Sequence, residues 1–236
     1  MDAERKVAVI TGASQGIGAA LVKAYLDRDY RVVATARSVK PTSNADILVV
    51  PGDIADRTTA ERAISEGLGR FGRIDTLVNN AGIFIAKPFT QYTEADFASI
   101  LGVNIAGFFH MTQLAVAAMD KQGSGHVVQI TTSLIDHANS GVPSVLASVT
   151  KGGLNAATKS LAIEYAKRNI RVNAVALGVI KTTMHPVETH PHLDVLHPVG
   201  HMGEVSDVVD AILYLETAGF VTGEILHVDG GQSAGH

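Results

Sequence analysis

The sequence predicts an α/β protein in which a doubly wound parallel β-sheet lies between two layers of helices. Short β-branched runs alternate with longer stretches of helical spacing along the chain, which is the pattern of successive βα units. Most of the short runs are apolar throughout, as expected for parallel strands that helices cover on both faces. No linker, repeat or break in composition interrupts this pattern. We therefore expect a single domain over residues 1–236, with right-handed crossovers between strands.

Seven strands and five helices are predicted in alternation. The strands are runs rich in Val, Ile and Thr, placed at Val7–Ile10, Arg31–Ala36, Ile47–Val50, Thr76–Asn79, His126–Thr131, Arg171–Leu177 and Ile225–Val228. Apolar residues recur at helical spacing over Ala19–Asp27, Thr58–Leu68, Val103–Met119, Leu146–Ala166 and Ser206–Leu215. The least regular stretch, residues 177–203, follows the sixth strand. Because ligands of such sheets bind beyond the carboxyl ends of the strands, we interpret it as a substrate lid.

Composition excludes several classes of protein. The chain has 236 residues, of which 46% are hydrophobic and 18% charged, and this excludes a disordered chain. Its net charge of −4, with Lys and Arg scattered, supplies no basic surface for nucleic acid. The absence of Cys excludes disulfides and thiolate chemistry and suits a reducing compartment. The start of the chain is charged, and no apolar run approaches the roughly 18 residues of a membrane span. We therefore predict a cytoplasmic protein that binds neither nucleic acid nor membrane.

A glycine-rich loop follows the first predicted strand and leads into the first helix. Gly12 suits a tight turn, Gly16 lets the backbone approach a pyrophosphate, and Gly18 permits close packing of the helix on the strand. The start of the helix adds free N–H groups and the positive end of its dipole. Turns between strands and helices often contain glycine, but here strand, loop and helix come in the order that a dinucleotide site requires. We assign phosphate binding to Gly12, Ser14, Gln15, Gly16, Ile17 and Gly18.

Six motifs in one order extend the argument over nearly the full chain. They are Thr11–Gly18, Asp53-Ile54, Asn79–Gly82, Val103–Gly107, Lys151–Leu154 and Asp229–Gly231. In these motifs the chain resembles the short-chain dehydrogenase/reductase family. The resemblance implies a Rossmann-type sheet of seven strands, a nicotinamide dinucleotide as cofactor, and hydride transfer between an alcohol and a ketone or aldehyde. The partner would then be a small carbonyl or alcohol substrate.

The resemblance also implies which residues contact the cofactor. They are Asp53 and Ile54 for the adenine, Asn80, Ala81 and Gly82 for the adenosine ribose, Lys151 for the nicotinamide ribose, and Gly178, Ile180 and Thr182 for the nicotinamide carboxamide. Leu177 stands where the family has a proline, which leaves the turn less restricted. The contacts that the family makes there come from the backbone and from Thr182, so the assignment is kept.

The end of the second strand indicates which dinucleotide is used. NAD enzymes place a carboxylate about 20 residues after the glycines, where it bonds the ribose 2′-hydroxyl. Here that position holds Ala36, followed by Arg37. A missing acid removes repulsion toward a 2′-phosphate, and an Arg fork can hold the phosphate bidentately. The alternative is a solvated surface arginine. We predict NADP(H) rather than NAD(H).

The proton-handling residues of the family are only partly present. The family uses a Tyr four residues before a Lys on one helix, so that both side chains lie on the same face. Lys151 is present, but Ala147 occupies the position of the Tyr. The family relay also uses an Asn, which corresponds to Asn104. The resemblance therefore implies an enzyme whose general acid is missing.

The hydroxyl that polarises the substrate carbonyl has two candidates. The family serine corresponds to Ser133 when counted back from Ala147 and to Thr132 when counted from the start of the fifth strand. We assign Ser133. General acid–base participation contributes roughly 10²–10⁴ in rate, so loss of the Tyr leaves a residue of activity. A water held by Lys151 and Asn104, or an imidazole from His137 or His185, could supply the proton.

Five of the ten histidines lie in the lid segment, residues 177–203. They are His185, His190, His192, His197 and His201. Imidazole is the commonest metal ligand, which raises the possibility of a metal site. The spacing is unlike that of an H-x-x-x-H pair carried on a helix, and no Cys assists. We therefore predict no metal, and interpret the histidines as solvated or substrate-lining.

Two functions from different classes remain open. The first is an NADP(H)-dependent oxidoreductase impaired at its proton donor, and the second is an NADP(H)-binding regulatory or interaction module without catalysis. We also predict a homo-oligomer, a tetramer or a dimer, because the family packs the long helices near Asn104 and Ala147 against a partner. These helices carry surplus apolar side chains, namely Phe108, Phe109, Met111, Leu114, Leu154, Leu161 and Tyr165.

Overall fold

All seven predicted strands form one sheet in the computed structural model, which describes residues 5–235. The strands are β1 (Val7–Thr11), β2 (Arg31–Ala36), β3 (Ile47–Pro51), β4 (Thr76–Asn79), β5 (Gly125–Thr132), β6 (Ile170–Leu177) and β7 (Ile225–Val228). Their order is β3-β2-β1-β4-β5-β6-β7, and every neighbouring pair is parallel. The prediction of a doubly wound parallel sheet is confirmed. Residues 1–4 and 236, the two ends of the predicted domain, lie outside the described residues.

Apart from one short helix in the stretch predicted to be irregular, the helices agree with the predicted alternation, with two differences. They are α1 (Gly16–Leu26), α2 (Arg57–Phe71), α3 (Glu94–Leu101), α4 (Gly107–Gln122), α5 (Val145–Tyr165), α6 (His190–Asp194) and α7 (Val205–Thr217). The first difference is that α1 begins at Gly16 rather than at Ala19, so the last glycines of the loop lie in its first turn. The second difference concerns the helix predicted to begin at Val103.

That helix begins nine residues earlier, at Glu94. Thr93 forms a capping box with Asp96, in which each side chain accepts a hydrogen bond from the other residue's backbone N–H. The run continues through a π-helical turn, Gly102–Ala106, into α4. The start predicted at Val103 is therefore wrong, because the local cap outweighs the polar character of the preceding segment.

Two apolar clusters cover the two faces of the sheet. Val9 packs with Ile64 of α2 and Met111 of α4 on one face. Ile10 packs with Leu21 of α1 and Ile212 of α7 on the other, so neighbouring strand residues point to opposite layers. Two of the residues predicted to be surplus apolar surface, Met111 and Leu154, are fully or nearly buried in the core. That part of the surface prediction is wrong, because the sheet already covers them.

One helical run among residues 5–235 is long and apolar enough to cross a membrane by length and composition, Glu94–Gln122. Polar residues interrupt it, so it is not a continuous apolar run. Its side chains Met111, Ala115 and Met119 belong to the core cluster on one face of the sheet. A core helix of a folded domain meets the same two criteria, so the run is weak support for a membrane span.

The chain reverses its winding direction between β1 and β4. β1 pairs with β2 on one side and with β4 on the other, so the loops that leave these two strands turn away from each other. In open α/β sheets the crevice at such a switch point binds ligands. The site is therefore expected at the carboxyl edge of β1 and β4.

Candidate active site

A cleft of about 460 Å³ lies at the carboxyl edge of the sheet. The loops after the first six strands all contribute to its walls. Its lining residues include those of the glycine-rich loop, the ends of β2 and β3, and one side of α5, namely Gly12, Ser14, Gln15, Gly16, Ile17, Arg37, Asp53, Ile54, Asn80, Ala81, Gly82, Thr132, Ala147, Lys151, Gly178, Ile180, Thr182 and His185. Most of the residues assigned from the sequence therefore share one cavity.

The glycine-rich loop has the geometry that its residues predict. Gly12 has φ +66°, and a Cβ there would lie 2.8 Å from Nδ2 of Asn80, so a side chain has neither the conformation nor the room. A Cβ on Gly18 would lie 2.2 Å from the Gly12 carbonyl oxygen, which shows how closely α1 packs on the loop. Gly16 faces Thr182 across the cleft, with 3.5 Å between its Cβ position and that side chain. Gly18 itself is absent from the cleft lining, since its role is packing.

Asn80 joins the ends of β1 and β4. Its Nδ2 donates to the Thr11 carbonyl oxygen at 2.9 Å and to the Gly12 carbonyl oxygen at 3.3 Å. The Thr11 hydroxyl in turn accepts from the Ala81 N–H at 2.9 Å. These bonds hold the two loops together at the switch point. Asn80 therefore fixes the position of the glycine-rich loop and also lines the cleft.

One end of the cleft has the features expected for an adenosine site. Asp53 and Ile54 lie on its wall, and the Asp53 carboxylate accepts from the Ala55 N–H at 3.0 Å. Arg37 is exposed at its rim. Thr35, also on the wall, is 1% exposed and its hydroxyl has no hydrogen-bond partner among the described residues. Thr35 was not predicted from the sequence, because a threonine at a strand end has no distinguishing pattern.

The other end of the cleft contains Lys151, on the second turn of α5. Its Nζ donates to the Ile130 carbonyl oxygen at 2.7 Å. Burial lowers the pKa of Lys151 to about 8. Ala147, one turn earlier, is 1% exposed and also lines the cleft, so a methyl group is the side chain at this point of the wall. Within residues 5–235, no tyrosine lines this cleft.

Asn104 lies behind the cleft wall rather than in it. It sits in the π-helical turn and is 2% exposed. Its Oδ1 accepts from the Ile83 N–H at 2.9 Å, and its Nδ2 donates to the Ile83 carbonyl oxygen at 3.1 Å and the Thr150 hydroxyl at 3.2 Å. The amide is thus used to hold the loop after β4. The water held by Lys151 and Asn104 stays a prediction.

The structure also corrects the choice between the two hydroxyls. Ser133 is fully buried and outside the cleft lining, and its hydroxyl donates to Gln232 Oε1 at 2.7 Å. Thr132 is half-buried and lines the cleft, and its hydroxyl accepts from the Leu134 N–H at 3.3 Å. The assignment of Ser133 is wrong, because successive residues at the end of a strand point to opposite sides. Thr132 is the hydroxyl that faces the cavity.

The turn after β6 closes the cleft on the side of Lys151. The Gly178 N–H donates to the Val228 carbonyl oxygen at 3.0 Å, and the Lys181 N–H donates to the Gly203 carbonyl oxygen at 2.9 Å. These bonds place Ile180 and Thr182 on the cleft wall although the family proline is missing. The turn is therefore held by its neighbours rather than by a ring restraint.

The lid histidines have different environments. His185 lines the cleft. Burial lowers its pKa, and the charge of the nearby His190 lowers it further. His137, the other imidazole predicted as a proton source, lies outside the cleft lining. His197 is 3% exposed, so interpreting it as solvated or substrate-lining is wrong. In the described part of the chain no group of three or more His, Asp or Glu could hold a metal ion.

Comparison with known proteins gives matches over nearly the whole chain. Residues 12–233 match the sequence profile of a family described as enoyl-(acyl carrier protein) reductase. The 3-oxoacyl-[acyl-carrier-protein] reductase FabG of Thermotoga maritima is 35% identical over 248 residues, covering 98% of this chain and 99% of that protein. Both matches include the glycine-rich loop and helix α5.

Solved structures agree with the sequence matches. ElxO with NADP bound superposes with a TM-score of 0.90 at 30% identity, covering 98% of this chain and 100% of that one. The 3-ketoacyl-(acyl-carrier-protein) reductase from Brucella melitensis, complexed with NADH, superposes with a TM-score of 0.90 at 29% identity, covering 98% and 99%. The same sheet and helices therefore occur in proteins that bind a nicotinamide dinucleotide.

Proposed function

Because the chain belongs to the short-chain dehydrogenase/reductase family of oxidoreductases, we propose that it uses NADP(H) to transfer hydride to or from a small carbonyl or alcohol substrate. The observation that carries the proposal is the single cleft that joins the glycine-rich loop, Lys151 and the turn after β6. A cavity with a phosphate-binding loop at one end and a lysine and hydroxyl at the other suits an elongated cofactor with a reacting group at its far end.

The residues present fit a nicotinamide dinucleotide. Gly12 and Gly16 both have positive φ, and their loop brings backbone close to the cleft with no side chain in the way. The buried Thr35 hydroxyl without a partner suits a polar ligand atom at the adenosine end. Bound in this cleft, the cofactor supplies or accepts the hydride.

The preference for NADP(H) rests on Arg37. Ala36 ends β2 without a carboxylate, and the exposed Arg37 lies at the rim beside the adenosine end. Its guanidinium can pair with a 2′-phosphate, and no acidic side chain on this strand end opposes it. One structural neighbour is described with NADP and another with NADH, so the choice depends on this arginine.

Lys151 and Thr132 contact the substrate oxygen, and the proton comes from a water held by Lys151 or from His185, which lines the cleft. Thr132 presents the cleft with a hydroxyl that can donate to a substrate oxygen, because its recorded bond uses it as acceptor. Lys151 keeps its ammonium in the cavity through the bond to Ile130. With a methyl group at Ala147, a phenol is absent from the face of α5 between them. We expect turnover lower than in an enzyme with the phenol by about 10²–10⁴.

The substrate class follows from the far end of the cleft. Its walls there are largely apolar, with Phe84, Val142, Leu193 and Leu196. The relative from Thermotoga maritima acts on a 3-oxoacyl group attached to a carrier protein. A ketone or aldehyde with an apolar chain therefore fits this proposal better than a charged sugar.

A second candidate function is that of an NADP(H)-binding module without catalysis. The observation that favours it is Ala147, since the cleft keeps every binding element and lacks the phenol. Steady-state oxidation of NADPH with a panel of small ketones, aldehydes, quinones and a 3-oxoacyl thioester separates the two. Slow but saturable turnover supports the oxidoreductase. Tight NADP(H) binding without turnover of any substrate on the panel supports the module.

The proposal includes a homo-oligomer, a tetramer or a dimer. On the outer faces of α4 and α5, Phe109 is 51% exposed, Val149 61% and Ile163 80%. Three large apolar side chains on two neighbouring helices suit a face that another copy covers. Light scattering at micromolar concentration checks this, and a 25-kDa particle would contradict it.

A further inference from the structure

His197 lies at the end of the lid segment, directly behind the turn after β6. Its Nε2 accepts a hydrogen bond from the Val179 N–H at 2.9 Å. Its Nδ1 lies 3.0 Å from the Leu193 carbonyl oxygen on α6 and donates to it. Only a neutral ring with its proton on Nδ1 satisfies both bonds. One imidazole therefore connects the turn to the short helix of the lid.

Packing leaves this ring little freedom. A Cβ on Gly178 would lie 2.8 Å from Nε2 of His197, and a Cβ on Gly230 would lie 3.2 Å from the Cβ of His197. The ring thus fills the space between the turn after β6 and the end of β7. A side chain on Gly178 would therefore displace the imidazole.

The same two elements form part of the cleft wall. Gly178, Ile180 and Thr182 come from the turn, and Leu193 comes from the lid. On its other side the turn is held by the Gly203 N–H, which donates to the Val179 carbonyl oxygen at 3.0 Å. The Val179 N–H has an imidazole as its acceptor. Without that acceptor, the turn would keep its bonds to Gly203 and Val228, and the Val179 N–H would lose its partner.

We infer that His197 is a positioning residue that holds the turn Gly178–Thr182 in the shape that receives the nicotinamide end of the cofactor. This inference rests on the proposed function, which assigns that turn to the nicotinamide. The hydrogen bonds of His197 reach the turn and the lid, and neither involves Arg37 or Asp53 at the adenosine end. Its loss should therefore weaken binding of the nicotinamide half and leave binding of the adenosine half unchanged.

Three substitutions separate the two hydrogen bonds of the ring. His197→Asn can place an amide near Nδ1, which keeps the donor to Leu193 and removes the acceptor for Val179. His197→Gln can place an amide oxygen near Nε2, which keeps that acceptor. His197→Phe keeps a ring and removes both bonds. The ligands are NADP⁺ and its nicotinamide-free analogue, adenosine 2′-phosphate 5′-diphosphoribose, titrated by calorimetry.

We expect the Asn and Phe variants to bind NADP⁺ about fivefold to tenfold more weakly, as the loss of one hydrogen bond predicts. Their affinity for the nicotinamide-free analogue should be that of the parent. The Gln variant should bind both ligands within about twofold of the parent, since one acceptor is restored. Melting temperatures without ligand show whether each variant is folded, and the Asn and Gln pair suffices if the Phe variant is not.

Two results would overturn the inference while leaving the proposed function intact. One is unchanged NADP⁺ affinity in the Asn variant, and the other is an equal loss for both ligands, which indicates general packing. A parent protein that binds NADP⁺ no more tightly than the nicotinamide-free analogue would refute the nicotinamide site itself and the inference with it.

Discussion

The two ends of the sheet treat polar side chains in opposite ways. At the amino end, the buried carboxylate of Glu216 accepts from the Tyr25 hydroxyl at 3.2 Å, the Tyr30 hydroxyl at 3.0 Å, the Thr76 hydroxyl at 3.0 Å and Nδ1 of His126 at 2.9 Å. At the carboxyl end, polar groups of the cleft have few hydrogen-bond partners within the protein. At the amino end the polar groups bind one another, whereas at the carboxyl end they are available to a ligand.

Electrostatics follow the same division. Burial alone would raise the pKa of Glu216, but the hydrogen bonds from His126, Thr76 and Tyr30, and the positive charge that His126 carries when it is protonated at low pH, lower it to about 2. Burial lowers the pKa of His126 despite the opposing effect of Glu216. The imidazole is therefore neutral near pH 7, and its Nε2 accepts from the Asn173 amide at 3.2 Å. The network thus contains one buried charge with several donors.

The cleft shows the contrasting arrangement. The Thr35 hydroxyl is buried without a partner among residues 5–235, and Arg37 is exposed at the rim. Burial lowers the pKa of Lys151 to about 8, and a backbone carbonyl is the acceptor of its recorded bond. Unsatisfied buried groups cost stability. In this cleft the unpaired Thr35 hydroxyl and the exposed Arg37 leave polar atoms available to a ligand.

The largest expected effect comes from restoring a phenol at the cleft. Ala147→Tyr should raise NADPH-dependent reduction across the carbonyl panel by about tenfold or more, since it returns a general acid one turn from Lys151. NADP⁺ affinity should change little. Turnover numbers and melting temperatures measure both effects.

Ala147→Phe is the matched control, because it adds the same ring without the hydroxyl. Since Ala147 is 1% exposed, either ring can cost about 1–3 kcal/mol of stability through overpacking. A folded Tyr variant that binds cofactor and reduces nothing would favour the module without catalysis.

At the opposite end, Glu216→Gln should lower the free energy of unfolding by about 1–3 kcal/mol, since the amide cannot accept from all four donors. Denaturant unfolding near pH 7 measures this. Glu188→Gln, at an exposed position of the lid, should leave the free energy unchanged and serves as the control. Equal stability of both variants would show that the network contributes nothing to folding.

The same variant should depend on pH in a defined direction. The folded pKa of Glu216, about 2, lies below its usual value of 4.5. The carboxylate therefore stabilises the fold fully above about pH 5, and this contribution is lost as pH falls toward about 2. The difference in unfolding free energy between the parent and Glu216→Gln should shrink over that range. A difference that stays constant down to pH 3 would contradict the depressed pKa.

For the exposed arginine we expect a smaller, ligand-specific effect. Arg37→Ala should weaken NADP⁺ binding by about tenfold, because a charge-assisted bond to the 2′-phosphate is lost, and NAD⁺ binding should change by less than about twofold. Lys40→Ala, also exposed but outside the cleft lining, is the control. Parent protein that binds NAD⁺ about tenfold more tightly than NADP⁺ would refute the cofactor preference.

The smallest expected effect compares one threonine from each end of the sheet. Thr35→Val removes a buried hydroxyl without a partner, so the unliganded protein should gain up to about 1 kcal/mol, while NADP⁺ affinity falls by about fivefold. Thr76→Val removes a donor to Glu216 and should cost about 1 kcal/mol without altering NADP⁺ affinity. Thermal unfolding with and without NADP⁺ measures both, and equal losses in the unliganded proteins would remove the distinction between the two ends.

Local patterns accounted for most of the fold. All seven strands lie within two residues of their predicted bounds, because β-branched apolar runs between turns carry that information locally. Helix α3 was missed although its signal, the capping box of Thr93 and Asp96, is present in the sequence. The predicted helix start at Val103 relied on apolar spacing and gave the cap too little weight.

The site was predicted less completely than the fold. Motif spacing along the chain located the glycine-rich loop, Lys151 and Ala147. All three line the cleft. Counting from two different motifs gave Ser133 and Thr132, one residue apart, and Ser133 was assigned. A shift of one residue on a strand reverses which side chain faces the ligand, so spacing alone was too coarse for this choice.

The sequence by itself determined the order of strands and helices along the chain, the glycine-rich loop and the alanine at position 147, because each depends on residues close together in the chain. Only the tertiary structure decided how distant residues meet. Glu216 contacts Tyr25 across 191 residues, and His126 across 90. His197 reaches back 18 residues to the Val179 N–H. Such contacts depend on packing and strand order, which bring together side chains that no local pattern relates.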